Sequence, residues 1–481
     1  MSNRKECSVS DDCTDRSQGS EHKKNASRTT QKKIKVLFVA SDCNPEWHSL
    51  PALIAEYSLE LSHLVELTLV THIRNQAQIE PWLPSNIQAY YIDTEKFSAP
   101  LYRFIQAVVR DPNKAMTLQV ALSVPDALIF EHSVWRSFNS ALKNKQYDIV
   151  HRASPMSPTV PSYLASKCPV PFVVGPVLGG LPWPKEFKSE MRREGEWMNY
   201  LRKLHRFIPF YKSTYKNASA ILAGYKHTVD DIPLKNRDTI FEFSEGAIHP
   251  QDYPEKVFDE LGAKAPCTIL FVGRMVPFKQ PEILIRCFEK SLILQKHKLV
   301  MVGGGPEYPR LKALTEELNL GHCVDLAGAL PHAEVRERMY KASIFAFPSI
   351  REQGGGVITM ASMASLPSVV VDYGGPSFRV PPECGVRVPM SSVEGITERF
   401  VQALEGLVEA PAKREKLGRA ARAFTEKYYS WEWKATKTLE IYQWVLGSKS
   451  EKPDYWADSE VLEAGTEEEE DIYTRAARIS F

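Results

Sequence analysis

The chain offers almost no net charge: 60 Lys and Arg stand against 59 Asp and Glu, a formal +1 over 481 residues. So even a balance gives no electrostatic reason to bind nucleic acid or an acidic polymer. Long apolar runs are missing too, and none approaches the ~18 residues needed to cross a bilayer. Cysteine is sparse. Cys7, Cys13, Cys43, Cys168, Cys267, Cys287, Cys323 and Cys384 are widely spread, and no Cys-x-x-Cys occurs. Several lie in apolar strand-like runs, where a reduced thiol behaves as a small hydrophobe. This argues against structural zinc and for a reducing, cytoplasmic setting. No cluster with metal-ligand spacing is apparent, so no bound metal or cofactor is expected. Residues 1–33 are polar and Ser/Thr-rich without an apolar core, which excludes a secretory signal and predicts a disordered tail. The acidic run Glu467 to Asp471 predicts a solvated C-terminal tail over 449–481.

What the chain does have is alternation. Hydrophobic residues make up 43% of it, enough for ordinary cores, and the length suits two domains plus tails. Short apolar runs recur at 34–40, 64–70, 147–151, 171–174 and 218–223, each separated by helix-length stretches. A second series runs through 267–272, 298–303, 343–348 and 368–372. Continuous apolar strands alternating with helices imply parallel sheets covered on both faces. The pattern breaks near 240–265, at His249-Pro250 and Pro254. The expected fold is α/β, with two Rossmann-like, doubly wound domains over 34–245 and 246–430 facing a central cleft. The aromatic-rich helix at 431–446 is expected to pack back across the junction. Ligands in such sheets sit beyond the carboxyl ends of the strands.

Two segments carry the strongest chemical signal. In 348–376, Glu352 stands just before Gly354, Gly355 and Gly356, and a helix-like run follows. Glycines opening a helix present free N–H groups and partial positive charge, which suits phosphate. A carboxylate beside them can accept hydrogen bonds from sugar hydroxyls. In 271–284, Arg274 and Lys279 stand between a strand end and a helix start. Arg grips phosphate bidentately and Lys acts as a movable point charge, a combination that fits a diphosphate. Taken alone, two ordinary surface cations would read the same way.

Weaker signals lie in the first half. His151 and Arg152 follow a strand, and His151 is a candidate acid/base group, with a satisfied structural histidine as the alternative. His48 reads as a loop histidine. Gly179 and Gly180 are candidate cleft-lining positions where backbone approaches a ligand. Segment 183–216 mixes Lys and Arg with Trp183, Phe187, Trp197, Tyr200, Leu201, Leu204 and Phe207. It reads as an amphipathic helix, either packed inward or laid on an anionic membrane surface.

Together, Gly273-Arg274 with Lys279, Gly303-Gly304-Gly305-Pro306, and Pro348-Ser349 with Glu352 and the glycine loop resemble the donor half of the retaining glycosyltransferases of family 4. The resemblance spans about 180 residues and implies the GT-B fold. It implies Arg274, Lys279 and the amides of Gly354–Gly356 on the leaving diphosphate, with Glu352 on the donor sugar. Gly303 and Gly304 would line the cleft, and His151 would lie near the reacting sugar. The implied reaction moves a hexosyl group, with retention and without a metal, from a nucleoside-diphosphate sugar to a glycan or lipid-linked acceptor. Its implied place is the cytoplasm, including the inner face of the membrane. Two positions depart from the family pattern. Met360 stands where a second glutamate usually holds the donor ribose, and Ala153 replaces a histidine. Those departures keep open a catalytically degenerate binding or scaffold protein, and a nucleotide-sugar epimerase shares the architecture.

Overall fold

A computed structural model describes residues 32–47, 49–109, 116–195, 204–258 and 266–456. Most of the predicted N-terminal tail, the acidic run Glu467–Asp471, His48, residues 196–203 and part of the junction near 240–265 lie outside the described residues.

The first sheet has seven strands: β1 (Lys35–Ala40), β2 (Glu66–His72), β3 (Gln88–Ile92), β4 (Ile149–Ser154), β5 (Phe172–Val177), β6 (Ala220–Ala223) and β7 (Ile240–Glu242). Their order is β3-β2-β1-β4-β5-β6-β7. The second has six: β8 (Thr268–Val272), β9 (Lys298–Val302), β10 (Val324–Gly328), β11 (Ile344–Phe347), β12 (Ser368–Val371) and β13 (Gly385–Val388), ordered β10-β9-β8-β11-β12-β13. Every strand pair in both sheets is parallel. The order in which strands are added across the sheet reverses between β1 and β4 in one sheet and between β8 and β11 in the other. These are the switch points where a crevice opens beyond the strand ends.

The strands are apolar throughout because both faces are covered. Along β1, Val36 and Phe38 enter the cluster beneath helices Leu50–Ser62 and Trp431–Val445, whereas Leu37 and Val39 enter the opposite cluster with Phe130 and Val134. Helix Trp431–Val445 lies on the first sheet although it follows the second in sequence. Tyr57 Oη and Thr438 Oγ1 hydrogen-bond at 2.6 Å across the helix pair. Two crossovers thus join the lobes, and they touch: Ile248 N donates to Tyr429 O at 2.8 Å, and Trp431 N donates to Ile248 O at 3.2 Å. Beyond that helix the described residues run to Trp456. Tyr455 is buried, and its hydroxyl donates to Tyr428 O at 2.8 Å. Residues 449–456, placed in the predicted tail, thus include a buried side chain packed on the lobe. Six cysteines are described, all unpaired.

The fold is GT-B: two parallel-sheet α/β lobes joined by two crossovers.

Candidate functional site

The site forms at the switch point of the second sheet, from the loops after β8, β10 and β11. Beyond β8 the chain turns through Gly273 and Arg274 into a short 3-10 turn, Pro277–Lys279. Gln280 adopts left-handed geometry (φ 47°) before helix Glu282–Lys290. The turn is pinned to the neighbouring loop, where Ile350 N donates to Phe278 O at 2.9 Å. Lys279 Nζ lies 2.6 Å from Glu352 Oε2, and both side chains are largely buried. The ammonium also lies over the Phe347 ring, 4.7 Å from its centre. An ion pair screened from water on one side and open on the other keeps its charge available to an incoming group.

Glu352 opens the glycine loop. Gly355 has φ 78°, a left-handed conformation that a β-carbon disfavours, and it caps helix Gly356–Met363 without any side-chain bond. Gly356 is exposed, with open space where its β-carbon would stand. This helix start therefore presents backbone N–H groups beside Lys279, as an anion site needs.

These groups line one cavity of about 290 Å³. Its lining combines Lys279, Glu352, Gly355 and Gly356 with His332 and the apolar Leu330, Val335, Val357 and Met360. A pocket lined by both charged and apolar groups suits a ligand that is part phosphate and part ring. Leu330, His332 and Val335 were not candidates from sequence. They follow β10, whose loop carries no glycine or charge signature. Arg274 is exposed on the same loop as Lys279 and is not among the lining residues. Gly303 and Gly304 do not line the pocket either. Gly303 (φ 138°) lies against the Gly273 carbonyl, where a β-carbon would overlap it, and Gly304 O accepts from Met275 N at 2.8 Å. These two glycines pack the floor of the loops.

In the first lobe, His151 has the surroundings of the satisfied structural histidine that is the alternative reading. β4 runs on to Ser154, so His151 sits mid-strand and is fully buried. Its Nε2 donates to Gly175 O at 2.6 Å, and Nδ1 accepts from Tyr442 Oη at 2.5 Å. Both nitrogens are satisfied by the neutral ring, and burial pushes the pKa down to about 4. Phe38 and Tyr57 pack edge-on against it. Arg152 points to the other face, 3.7 Å from buried Glu131, and donates to Val160 O at 2.8 Å. Gly179 is not open lining. It exchanges hydrogen bonds with Thr228, and a β-carbon there would run into the Pro158 ring. Gly180 (φ 87°) turns the chain towards the second lobe.

From there the predicted amphipathic segment behaves differently in its two described parts. Residues 183–195 strap onto the second lobe: Phe187 is buried in its core, Arg351 stacks over Trp183 at 4.9 Å, and Arg193 pairs with Glu307. The only α-helix in that stretch is the six-residue Lys188–Arg193. Residues 204–216 leave Leu204 and Phe207 exposed beside Arg206, Lys212 and Lys216. No helix among the described residues is long and apolar enough to cross a membrane. No group of three or more potential metal ligands occurs among them.

A further group escaped the sequence. Behind the glycine loop, Arg379 and Glu245 form a buried ion pair at 2.8 Å, joined by Tyr225.

Residues 253–424 match the family described as glycosyl transferases group 1. The chain is 29% identical over 195 residues to a D-inositol 3-phosphate glycosyltransferase of Kribbella flavida, covering 38% of this chain and 45% of that protein. It is 25% identical over 191 residues to the GPI3 subunit of phosphatidylinositol N-acetylglucosaminyltransferase of Saccharomyces cerevisiae, covering 39% and 41%. Each alignment thus spans less than half of the relative's own length. Among solved structures, sucrose-phosphate synthase of Thermosynechococcus elongatus superposes with a TM-score of 0.58 at 17% identity, over 87% of this chain and all of that one. Anabaena HepE, solved in complex with UDP, gives 0.54 at 14%, over 87% and 100%. These likenesses support the GT-B fold, and the residues matched by the family model lie in the half of the chain that carries the second sheet.

Proposed function

We propose that the protein is a metal-independent, retaining glycosyltransferase that moves a hexosyl group from a UDP- or GDP-sugar to a hydroxyl of a glycan or lipid-linked acceptor. The observation that carries this reading is the Lys279–Glu352 pair, held at 2.6 Å in the pocket that the glycine-loop helix start also lines. In the proposed complex the diphosphate sits against Lys279 and the amides of Gly355 and Gly356. The nucleoside lies against the apolar lining residues Leu330, Val335 and Met360. Glu352, held beside the ammonium, accepts hydrogen bonds from the donor-sugar hydroxyls and orients the anomeric carbon. Charge develops on the leaving diphosphate as the glycosidic bond breaks, and fixed donors aimed at that charge are commonly the largest contribution to such a transfer. Arg274, exposed on the same loop, adds a second cation at the rim.

The acceptor belongs in the crevice on the side of the first lobe. The exposed apolar and basic residues of 204–216 are the remaining candidates for contact with the cytoplasmic membrane face. The test is a panel of UDP- and GDP-sugars followed by release of nucleoside diphosphate. Release from one donor, abolished in Lys279→Ala and reduced in Arg274→Ala, supports the reading. Full release in Lys279→Ala removes the mechanism.

One observation favours a second reading. Met360 lines the pocket where a carboxylate would hold a ribose, and a thioether is at best a weak acceptor. A protein that binds a glycan or partner without transfer fits that loss. Such a protein shows no binding of UDP or GDP at millimolar concentration.

A further inference from the structure

The glycine loop is held from behind by charges that the pocket itself does not contain. Arg379 closes the short helix Gly375–Arg379 and is almost wholly buried. Its guanidinium makes three different attachments. Nε donates to the Gly354 carbonyl, Nη1 donates to Thr359 Oγ1 on the helix behind the loop, and Nη2 donates to Glu245 Oε1 at 2.8 Å. Its face lies 4.6 Å from the centre of the Tyr429 ring. Glu245 also accepts from Tyr225 Oη at 3.1 Å. Gly354 is where these groups meet the loop, and a β-carbon there would overlap the Glu245 carboxylate.

Two consequences follow from that arrangement. A trans peptide points its C=O and N–H in opposite directions. With the Gly354 carbonyl turned back onto Arg379, the N–H of Gly355 is turned the other way, and Gly355 lines the pocket. The ion pair therefore sets which way a pocket-lining amide faces. Glu245, moreover, belongs to neither sheet. It lies just beyond β7 in the first crossover, three residues before Ile248, which bonds to the second crossover at Tyr429 and Trp431. Tyr429 is also the ring under Arg379.

We propose that Glu245 and Arg379 are positioning residues that orient the glycine-loop amides and tie that orientation to the crossovers between the lobes. This rests on the reading of the pocket as a nucleoside-diphosphate site. A change in how the lobes meet shifts Glu245, and through Arg379 it turns the peptide that faces the diphosphate. Loop geometry is then a property of the joined lobes and not of the second lobe alone.

The test uses the full chain with the double variant Glu245→Leu and Arg379→Met, and separately Tyr225→Phe. Replacing both members of a buried pair by apolar residues of similar size is often neutral for stability, and Tyr225→Phe keeps the pair. Hydrogen exchange across residues 352–358 and calorimetry with UDP are the readouts. In the double variant, loop exchange is expected to rise and UDP affinity to fall, each roughly tenfold, while exchange in β8 and β11 is unchanged. Tyr225→Phe shifts both in the same direction by less. A stable double variant with wild-type loop exchange and wild-type UDP affinity overturns the proposal. If the double variant does not fold, Tyr225→Phe decides by the same two readouts. If the wild-type chain binds neither UDP nor GDP, the donor reading fails, and loop exchange still decides whether the pair orders the loop.

Discussion

Lys279 and Met360 line the same pocket, and substitutions there probe the phosphate and the ribose of a ligand separately. Met360→Glu places a carboxylate acceptor in the pocket lining. A charge-assisted hydrogen bond contributes about 1.5–3 kcal/mol, so UDP affinity is expected to rise by roughly 10- to 150-fold in calorimetry. No gain would mean that the ribose lies elsewhere. His151 gives a prediction of a different kind. Its folded pKa, about 4, lies below the ordinary value of 6.5, so the unfolded chain takes up this proton first. The stability contributed by the neutral ring is complete above pH 6.5 and is lost as pH falls towards 4, by something on the order of 3 kcal/mol. Urea unfolding at pH 7, 6 and 5 should show this decline, and His151→Gln should flatten it. At this scale the sequence was half legible. Lys279 and Glu352 announced themselves by standing beside glycines and strand ends. His151 misled because β4 continues past it to Ser154, and a strand in a doubly wound sheet buries both faces.

Helix Trp431–Val445 shows how one element can belong to a lobe that it does not adjoin in sequence. Trp431, Ile441 and Tyr442 are buried against the first sheet, and Tyr442 supplies the proton that His151 Nδ1 accepts. Removing that hydroxyl leaves a buried acceptor without its donor, which costs about 1–3 kcal/mol. Tyr442→Phe should therefore lower the urea midpoint while leaving UDP binding at the second sheet unchanged. A parallel loss of nucleotide affinity would mean that His151 acts on the ligand site after all. The packing of this helix could be suspected from its aromatic content, because four aromatic residues within 431–446 need more apolar surface than one helix face supplies. The 183–195 strap could not be foreseen. Its aromatics and charges fit an amphipathic helix equally well, and only the placement of Phe187 in the second lobe's core shows which partner it takes.

Across the whole molecule, parallel-sheet logic carried the architecture. Two series of short apolar runs became two sheets, and the ligand pocket lies at the reversal between β8 and β11. The Glu245–Arg379 pair stayed hidden because its members stand 134 positions apart and neither belongs to a motif. Pairings of that separation depend on how the two lobes meet, which local pattern does not encode. If the pocket takes a nucleoside diphosphate, UDP or GDP at about 100 times its Kd should raise folding stability by about 2.7 kcal/mol, visible as a shift in Tm.

The most direct measurement is calorimetric titration of the wild-type chain and Lys279→Ala with UDP and GDP. The account predicts saturable binding of one of the two by the wild type. It predicts affinity weakened by roughly 10- to 150-fold in the variant. Equal affinity in both chains, or no binding by the wild type at millimolar nucleotide, would contradict it.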